Sequence, residues 1–174
     1  MTLNLTTEDR ALLSGSDGEA TALAMRILVS AAELLRARSL VQITSAHIDG
    51  CLYHGDGGVE FAETLVAAGG QVAVPTTLNV GALDLLHPDS VRVDQSKTSM
   101  ARRQMDAYVS MGAQPTFTCA PYQIGHEPGV GEQVAWGESN AIAFANSVLG
   151  ARTERYGDFL DACCALTGRA PPLT

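Results

Sequence analysis

The sequence predicts an α/β protein, a largely parallel sheet with flanking helices, and three features predict it. Short β-branched apolar runs alternate with longer stretches of helical period, glycine and proline fall between these segments, and no internal repeat interrupts the alternation. The first helix opens after Ser16-Asp17-Gly18-Glu19, a capping-box arrangement. It carries apolar residues at Leu23, Ile27, Leu28, Ala31, Leu34 and Leu35 and ends near Arg38. The run Leu40-Val41-Gln42-Ile43-Thr44 predicts a strand. A glycine-rich stretch follows as far as Gly58, and a helical pattern over 59–68 is stopped by Gly69-Gly70.

The cycle then repeats. A strand is expected over 71–74, a weaker one at Val91-Arg92-Val93, a helix over 98–111 and a strand over 115–118. Strands separated by helices require crossover connections and so a mostly parallel sheet. Residues 119–137 read as a long loop, a length that is uncommon without a functional reason. A helix starts at the Ser139-Asn140 cap and runs through Ile142, Phe144, Ala145 and Val148 to Gly150, and a last one covers 157–166 before Gly168.

With 174 residues, 46% of them hydrophobic and 17% charged, the chain is of a size and composition to form one domain with its own core. Eleven Lys and Arg against nineteen Asp and Glu leave a net charge of −8, which argues against a phosphate-backbone-binding surface and hence against nucleic acid. No apolar run approaches the roughly 20 residues of a membrane-spanning helix, and the polar start lacks the order of a signal peptide. A cytoplasmic protein without a membrane partner is the expectation. The four cysteines, Cys51, Cys119, Cys163 and Cys164, are spaced too irregularly for a disulfide framework.

Residues able to do chemistry gather behind the expected strands: Thr44-Ser45-Ala46-His47-Ile48-Asp49, then Pro75-Thr76-Thr77-Leu78-Asn79, then Cys119-Ala120-Pro121-Tyr122. In an open parallel sheet the carboxyl ends of the strands share one edge, where ligands bind, so these segments should converge. Taken singly, each threonine can equally close a turn or cap a helix. Cys119 could be a nucleophile or a metal ligand, with His47 and His126 as possible bases, or a buried inert thiol. His47, Cys51 and His54 invite a zinc reading but lack the second ligand pair a structural site uses. Glu132 and Glu138 are candidate acids or bases if buried. The 125–131 stretch has neither the lysine nor the spacing of a phosphate loop.

Taken together and in order, six segments resemble the N-terminal part of the aconitase X family. They are Ser45-Ala46-His47-Ile48-Asp49-Gly50, Pro75-Thr76-Thr77-Leu78-Asn79, Thr118-Cys119-Ala120-Pro121-Tyr122, Gly131-Glu132-Gln133-Val134-Ala135-Trp136, Glu138-Ser139-Asn140-Ala141 and Asn146-Ser147-Val148-Leu149-Gly150-Ala151-Arg152-Thr153. The resemblance implies a hydro-lyase related to aconitase, with a 2Fe-2S cluster or a single iron between a large catalytic part and a small swivelling one. Bacterial members of the family dehydrate cis-3-hydroxy-L-proline to Δ1-pyrroline-2-carboxylate, and archaeal members dehydrate mevalonate 5-phosphate. The stretch from Ser45 to Gly55 is similar to the bacterial type.

By position, the resemblance implies Cys119 as one iron ligand, its thiolate matched to iron by softness. It places Ser45, His47, Thr76, Thr77, Ser139, Asn140 and Arg152 against a small carboxylate substrate, with Arg152 the best bidentate carboxylate partner. His47 and Ser45 are the candidates for acid–base work. Family members are considerably longer, so residues 1–174 correspond to an N-terminal portion of the catalytic domain. The other iron ligands and the family's catalytic serine would lie in the remaining catalytic region and the small swivel part, and the isolated chain should not turn over substrate. Two alternatives stay open: a phosphomevalonate enzyme, for which Lys97, Arg102 and Arg103 are the available cations, and a non-catalytic α/β binding module on the same scaffold.

Overall fold

The computed structural model describes residues 3–172 apart from Val91 and Val93, so the strand expected at 91–93 lies largely outside the described residues. At the centre is a parallel three-stranded sheet of order β3-β2-β4, built from β2 (Ala46–Ile48), β3 (Thr76–Leu78) and β4 (Ala135–Trp136). A two-stranded antiparallel ribbon stands apart from it, β1 (Val41–Gln42) with β5 (Arg169–Ala170). Around these lie α1 (Thr7–Ser14), α2 (Glu19–Leu34), α3 (Asp56–Ala67), α4 (Gln95–Ser110), α5 (Ser139–Phe144), continued by a π-helical turn (Ala145–Leu149), and α6 (Leu160–Thr167). The α/β class holds, and α2, α3, α4, α5 and α6 fall where their periodicity places them.

The strands are shifted from their expected positions. The run 40–44 yields only β1, which pairs with β5, while the parallel strand is the next segment, Ala46-His47-Ile48. All three of its side chains are buried, so the alternation that marks a half-exposed strand is absent. The stretch 71–74 forms no strand: Val72 N–H donates to Met111 C=O at the end of α4 and Ala73 N–H to Ala165 C=O in α6. The strand begins after Pro75, with Thr76. Over 115–118 no strand forms, and an isolated bridge pairs Thr77 with Gln114 just ahead of it. Pro115 has no N–H to give, Phe117 adopts a left-handed φ of 43°, and the Thr116 hydroxyl stands in for backbone by accepting from Leu78 N–H and donating to Leu78 C=O.

The expected capping box before α2 does not form: Ser16 bonds its neighbour Asp17, and Gly18 occupies the cap position at φ 99°. The capping box is instead at Thr6 and Asp9, at the start of α1, a helix that periodicity alone missed. The main core lies on one side of the sheet. There Ala46, Ile48, Leu78 and Ala135 meet α6, which also packs along α2. Cys163 and Cys164 are fully buried in this layer and serve as packing. The other side of the sheet carries His47, Thr77 and Trp136, in register across the three strands, and a smaller cluster of Val134, Trp136, Ala141, Ala145 and Ala151.

Candidate functional site

Each parallel strand delivers a polar residue at its carboxyl end: Asp49 after β2, Asn79 after β3 and, past Gly137, Glu138 after β4. Asn79 joins them. Its side-chain amide donates both to Asp49 Oδ1 and, at 2.8 Å, to Glu138 Oε2, and its own Oδ1 accepts from Val80 N–H. Asn79 is fully buried, whereas Asp49 and Glu138 are half-buried and face the sheet edge. On the 119–137 segment, Cys119 reaches the same edge, its carbonyl accepting from the Asn140 side chain at 2.9 Å. Ser139 Oγ donates to Glu138 Oε1.

The two carboxyls are driven apart in acidity. Burial raises Asp49, and the charges of Glu138 and Asp158 add to it, against the Asn79 hydrogen bond and the weaker pull of Arg155. Burial also works to raise Glu138, but hydrogen bonds from Asn79, Ser139 and the N–H groups of Asn140 and Ser139 outweigh it and leave the group below its ordinary value. The two neighbouring carboxyls are thus shifted in opposite directions by their surroundings.

Cys119 is half-buried. Burial pushes its thiol up, Glu138 and Asp49 push further, and a hydrogen bond from Val80 N–H only partly opposes them. A cation would reverse that balance, because a thiolate beside two carboxyls is stabilised by a positive charge. The donor set therefore fits the implied iron as a single soft ligand on an acidic edge. Among the described residues no group of three or more His, Cys, Asp or Glu side chains is placed to hold a metal ion. His47, Cys51 and His54 form no such group either. The Cys51 thiol is spent on the Asn79 carbonyl at 2.9 Å, and His47 is committed to the sheet.

The other expected residues are distributed over the sheet. His47 is fully buried on β2; its Nδ1 pairs with Thr77 Oγ1 at 2.8 Å, and its ring meets Trp136 edge-on. Burial, helped by His126 and opposed by Glu138, lowers His47 to about 4, so the ring is neutral near pH 7. His126 stacks on Trp136, and the atoms His47 Nε2, His126 Nε2 and Trp136 Nε1 have no hydrogen-bond partner among the described residues. Thr76 lies one residue before Thr77 on β3, and its hydroxyl donates to Val74 C=O. Ser45 precedes β2 and lines a cleft of about 310 Å³ with Thr44, His126 and Glu132. Arg152 is exposed and pairs by backbone with Gln133, just ahead of β4.

Ser45 and Arg152 therefore mark the amino end of the sheet and Cys119, Ser139 and Asn140 the carboxyl end, about 10 Å of strand apart. The expected convergence of these segments is partial: 44–49 and 75–79 contain the strands β2 and β3, so only their last residues, Asp49 and Asn79, reach the edge beside Cys119. The residues that do arrive there, Asp49 and Asn79, stood in the quoted segments without being singled out; Glu138 was a candidate acid or base.

Comparison with known proteins returns consistent likenesses. A family model described as the aconitase X first domain matches residues 2–173. A cis-3-hydroxy-L-proline dehydratase of Pseudomonas aeruginosa is 53% identical over 163 residues, a stretch covering 94% of this chain and 28% of that protein. The phosphomevalonate dehydratase large subunit of Methanothermobacter thermautotrophicus is 39% identical, with 95% of this chain and 42% of that one covered. The crystal structure of Thermococcus kodakaraensis aconitase X in its holo-form superposes with a TM-score of 0.86 at 37% identity, over 97% of this chain and 42% of that one. The chain thus spans between about a quarter and under half of the length of the proteins it matches.

Proposed function

The chain belongs to the aconitase X family, and from that premise we propose that it forms the N-terminal part of the catalytic region of an iron-dependent dehydratase acting on cis-3-hydroxy-L-proline. Identity favours this substrate: 53% and 50% to two hydroxyproline dehydratases, against 36% to 39% to the phosphomevalonate enzymes. The observation that carries the reading is the acidic carboxyl edge. Glu138, held below its ordinary value, suits the cationic ring nitrogen of an amino acid and would repel a phosphate. Of the cations considered for a phosphate, Arg103 is held by both oxygens of Glu63 at 2.8 and 2.7 Å, across α3 and α4.

Dehydration removes the proton next to the carboxylate and expels a poor leaving group, hydroxide. Cys119 would hold the iron, which when bound supplies Lewis acidity at the departing hydroxyl. Within this chain, Glu138 stays ionised and binds the ring nitrogen, while Asp49, whose carboxyl burial raises, stands on the leaving side as the candidate proton donor. Asn79 keeps the two at a fixed spacing, and Ser139 and Asn140 frame the Glu138 carboxylate and the Cys119 loop. His47 and Thr77 form a neutral, buried pair behind the edge. Ser45 and Arg152 lie at the opposite end of the sheet and Thr76 within it, so they make no direct contact with a substrate held at the carboxyl edge. The remaining catalytic region and the small swivel part complete the site, and the cytoplasm is the setting in which the free thiols stay reduced.

The test is substrate choice by the assembly that joins this chain to the regions its relatives carry beyond it. Dehydration of cis-3-hydroxy-L-proline with no turnover of mevalonate 5-phosphate is the expected result; the reverse preference would overturn the assignment.

A further inference from the structure

Behind the carboxyl edge lies a buried acid that the reaction itself does not use. Asp161, in the first turn of α6, is 0% exposed, and all its hydrogen bonds are to backbone N–H groups. Oδ1 accepts from Ala162 N–H at 2.6 Å, inside its own helix. Oδ2 accepts from Asp49 N–H at 2.6 Å and from Gly50 N–H at 3.2 Å, on a turn 112 and 111 residues away in sequence. The same turn is held from its other side by Gln104 of α4, whose amide donates to Gly50 C=O at 2.6 Å. The chain leaving β2 is thus pinned at consecutive peptide groups by side chains from two helices.

The packing leaves no slack. A methyl group on Gly137, between β4 and Glu138, would lie 2.7 Å from Asp49 Cβ and 2.9 Å from Asp161 Oδ2. Asp49, Gly137 and Asp161 therefore occupy one small volume that closes only because position 137 has no side chain. A neutral acceptor could have satisfied the same N–H groups without a buried charge, and burial does push the Asp161 carboxyl up to about 7 despite three hydrogen bonds. An acid kept here at that cost implies a use beyond holding α6 in place.

We propose that Asp161 is the positioning residue of the site: it fixes the Asp49–Gly50 turn from below, and so sets where the Asp49 carboxyl stands relative to Asn79 and Glu138. Gln104 and Gly137 are the parts of the same clamp. The inference rests on the dehydratase reading for its kinetic readout.

The test uses the complete enzyme with Asp161→Asn, which can keep one oxygen on the Asp49 and Gly50 N–H groups, and with Asp161→Ala, which cannot. The expected result is a fall in kcat of about 10- to 100-fold, larger for Ala than for Asn, because a small misplacement of a reacting group is enough. KM should change less than about 3-fold, since the tie acts on the reacting geometry rather than on binding. The pH profile of kcat should shift in both variants, a change that loss of stability alone does not produce. Unchanged turnover per folded molecule with an unchanged pH profile in Asp161→Asn would overturn the proposal. Hydrogen exchange of the wild-type enzyme decides the matter if neither variant folds. The Asp49 and Gly50 amides should exchange as slowly as the central strands, and exchange at exposed-loop rates would overturn the clamp. An inactive wild type would fail the dehydratase reading and leave this exchange result to judge the clamp.

Discussion

Asp49 and Glu138 share one amide, that of Asn79, yet their surroundings push them in opposite directions. Removing the charge that this division depends on should be costly. In the complete enzyme, Glu138→Gln is expected to lower kcat/KM by about 100-fold or more, the usual loss of a positioned acid–base or charge-binding group. A loss below 10-fold would remove Glu138 from the reaction. The Glu138 side chain could be nominated from sequence, with Glu132, only as an acid or base if buried. Asp49 and Asn79 could not, since their roles come from being the first residues after short strands whose ends no periodicity marks.

At the scale of elements, two buried titratable groups act on stability with opposite signs. Asp161 titrates at about 7 in the fold against 3.8 ordinarily, so folding favours its protonated form, and its contribution is lost as pH rises through that interval. His47 titrates at about 4 against 6.5, so folding favours the neutral ring, and its contribution is lost as pH falls from 6.5 towards 4. Between pH 4 and 6.5 the two slopes offset each other. Asp161→Asn should expose the histidine alone, so that acidification from pH 6.5 to 4 costs about 3 kcal/mol more than in the wild type. Urea midpoints measured across that window check this, and parallel curves for the two proteins would contradict it.

The helices were legible because α2, α3 and α4 each keep an apolar stripe against the core over 12 to 16 residues. The strands were not, because they are two or three residues long and buried on both sides. Gly137 shows what sequence cannot disclose: its need for a missing side chain is set by Asp49 and Asp161, 88 residues before it and 24 after it. Gly137→Ala is expected to destabilise the chain by about 1–3 kcal/mol, as overpacking does. A midpoint within error of the wild type would mean that the edge can open.

Over the whole molecule, the ends of the chain are tied together. Arg169 of β5 bonds Asp9 of α1 through Nε at 2.8 Å, with side chains 8% and 2% exposed, and Glu8 through Nη2 at 2.8 Å. Arg169→Leu would leave Asp9 buried without its cation and should cost about 3–5 kcal/mol, read as a lower urea midpoint. The α/β class and the family likeness were both legible, because the class follows from alternation and the likeness from six ordered segments. Which residues share an edge was not, since that depends on strand register. The proposed anchoring of iron by Cys119 at the acidic end of the sheet is tested most directly by measuring anaerobic iron content and cis-3-hydroxy-L-proline dehydration in one preparation of the complete enzyme with Cys119→Ser. Iron and turnover should fall together; full iron with wild-type turnover would contradict the account.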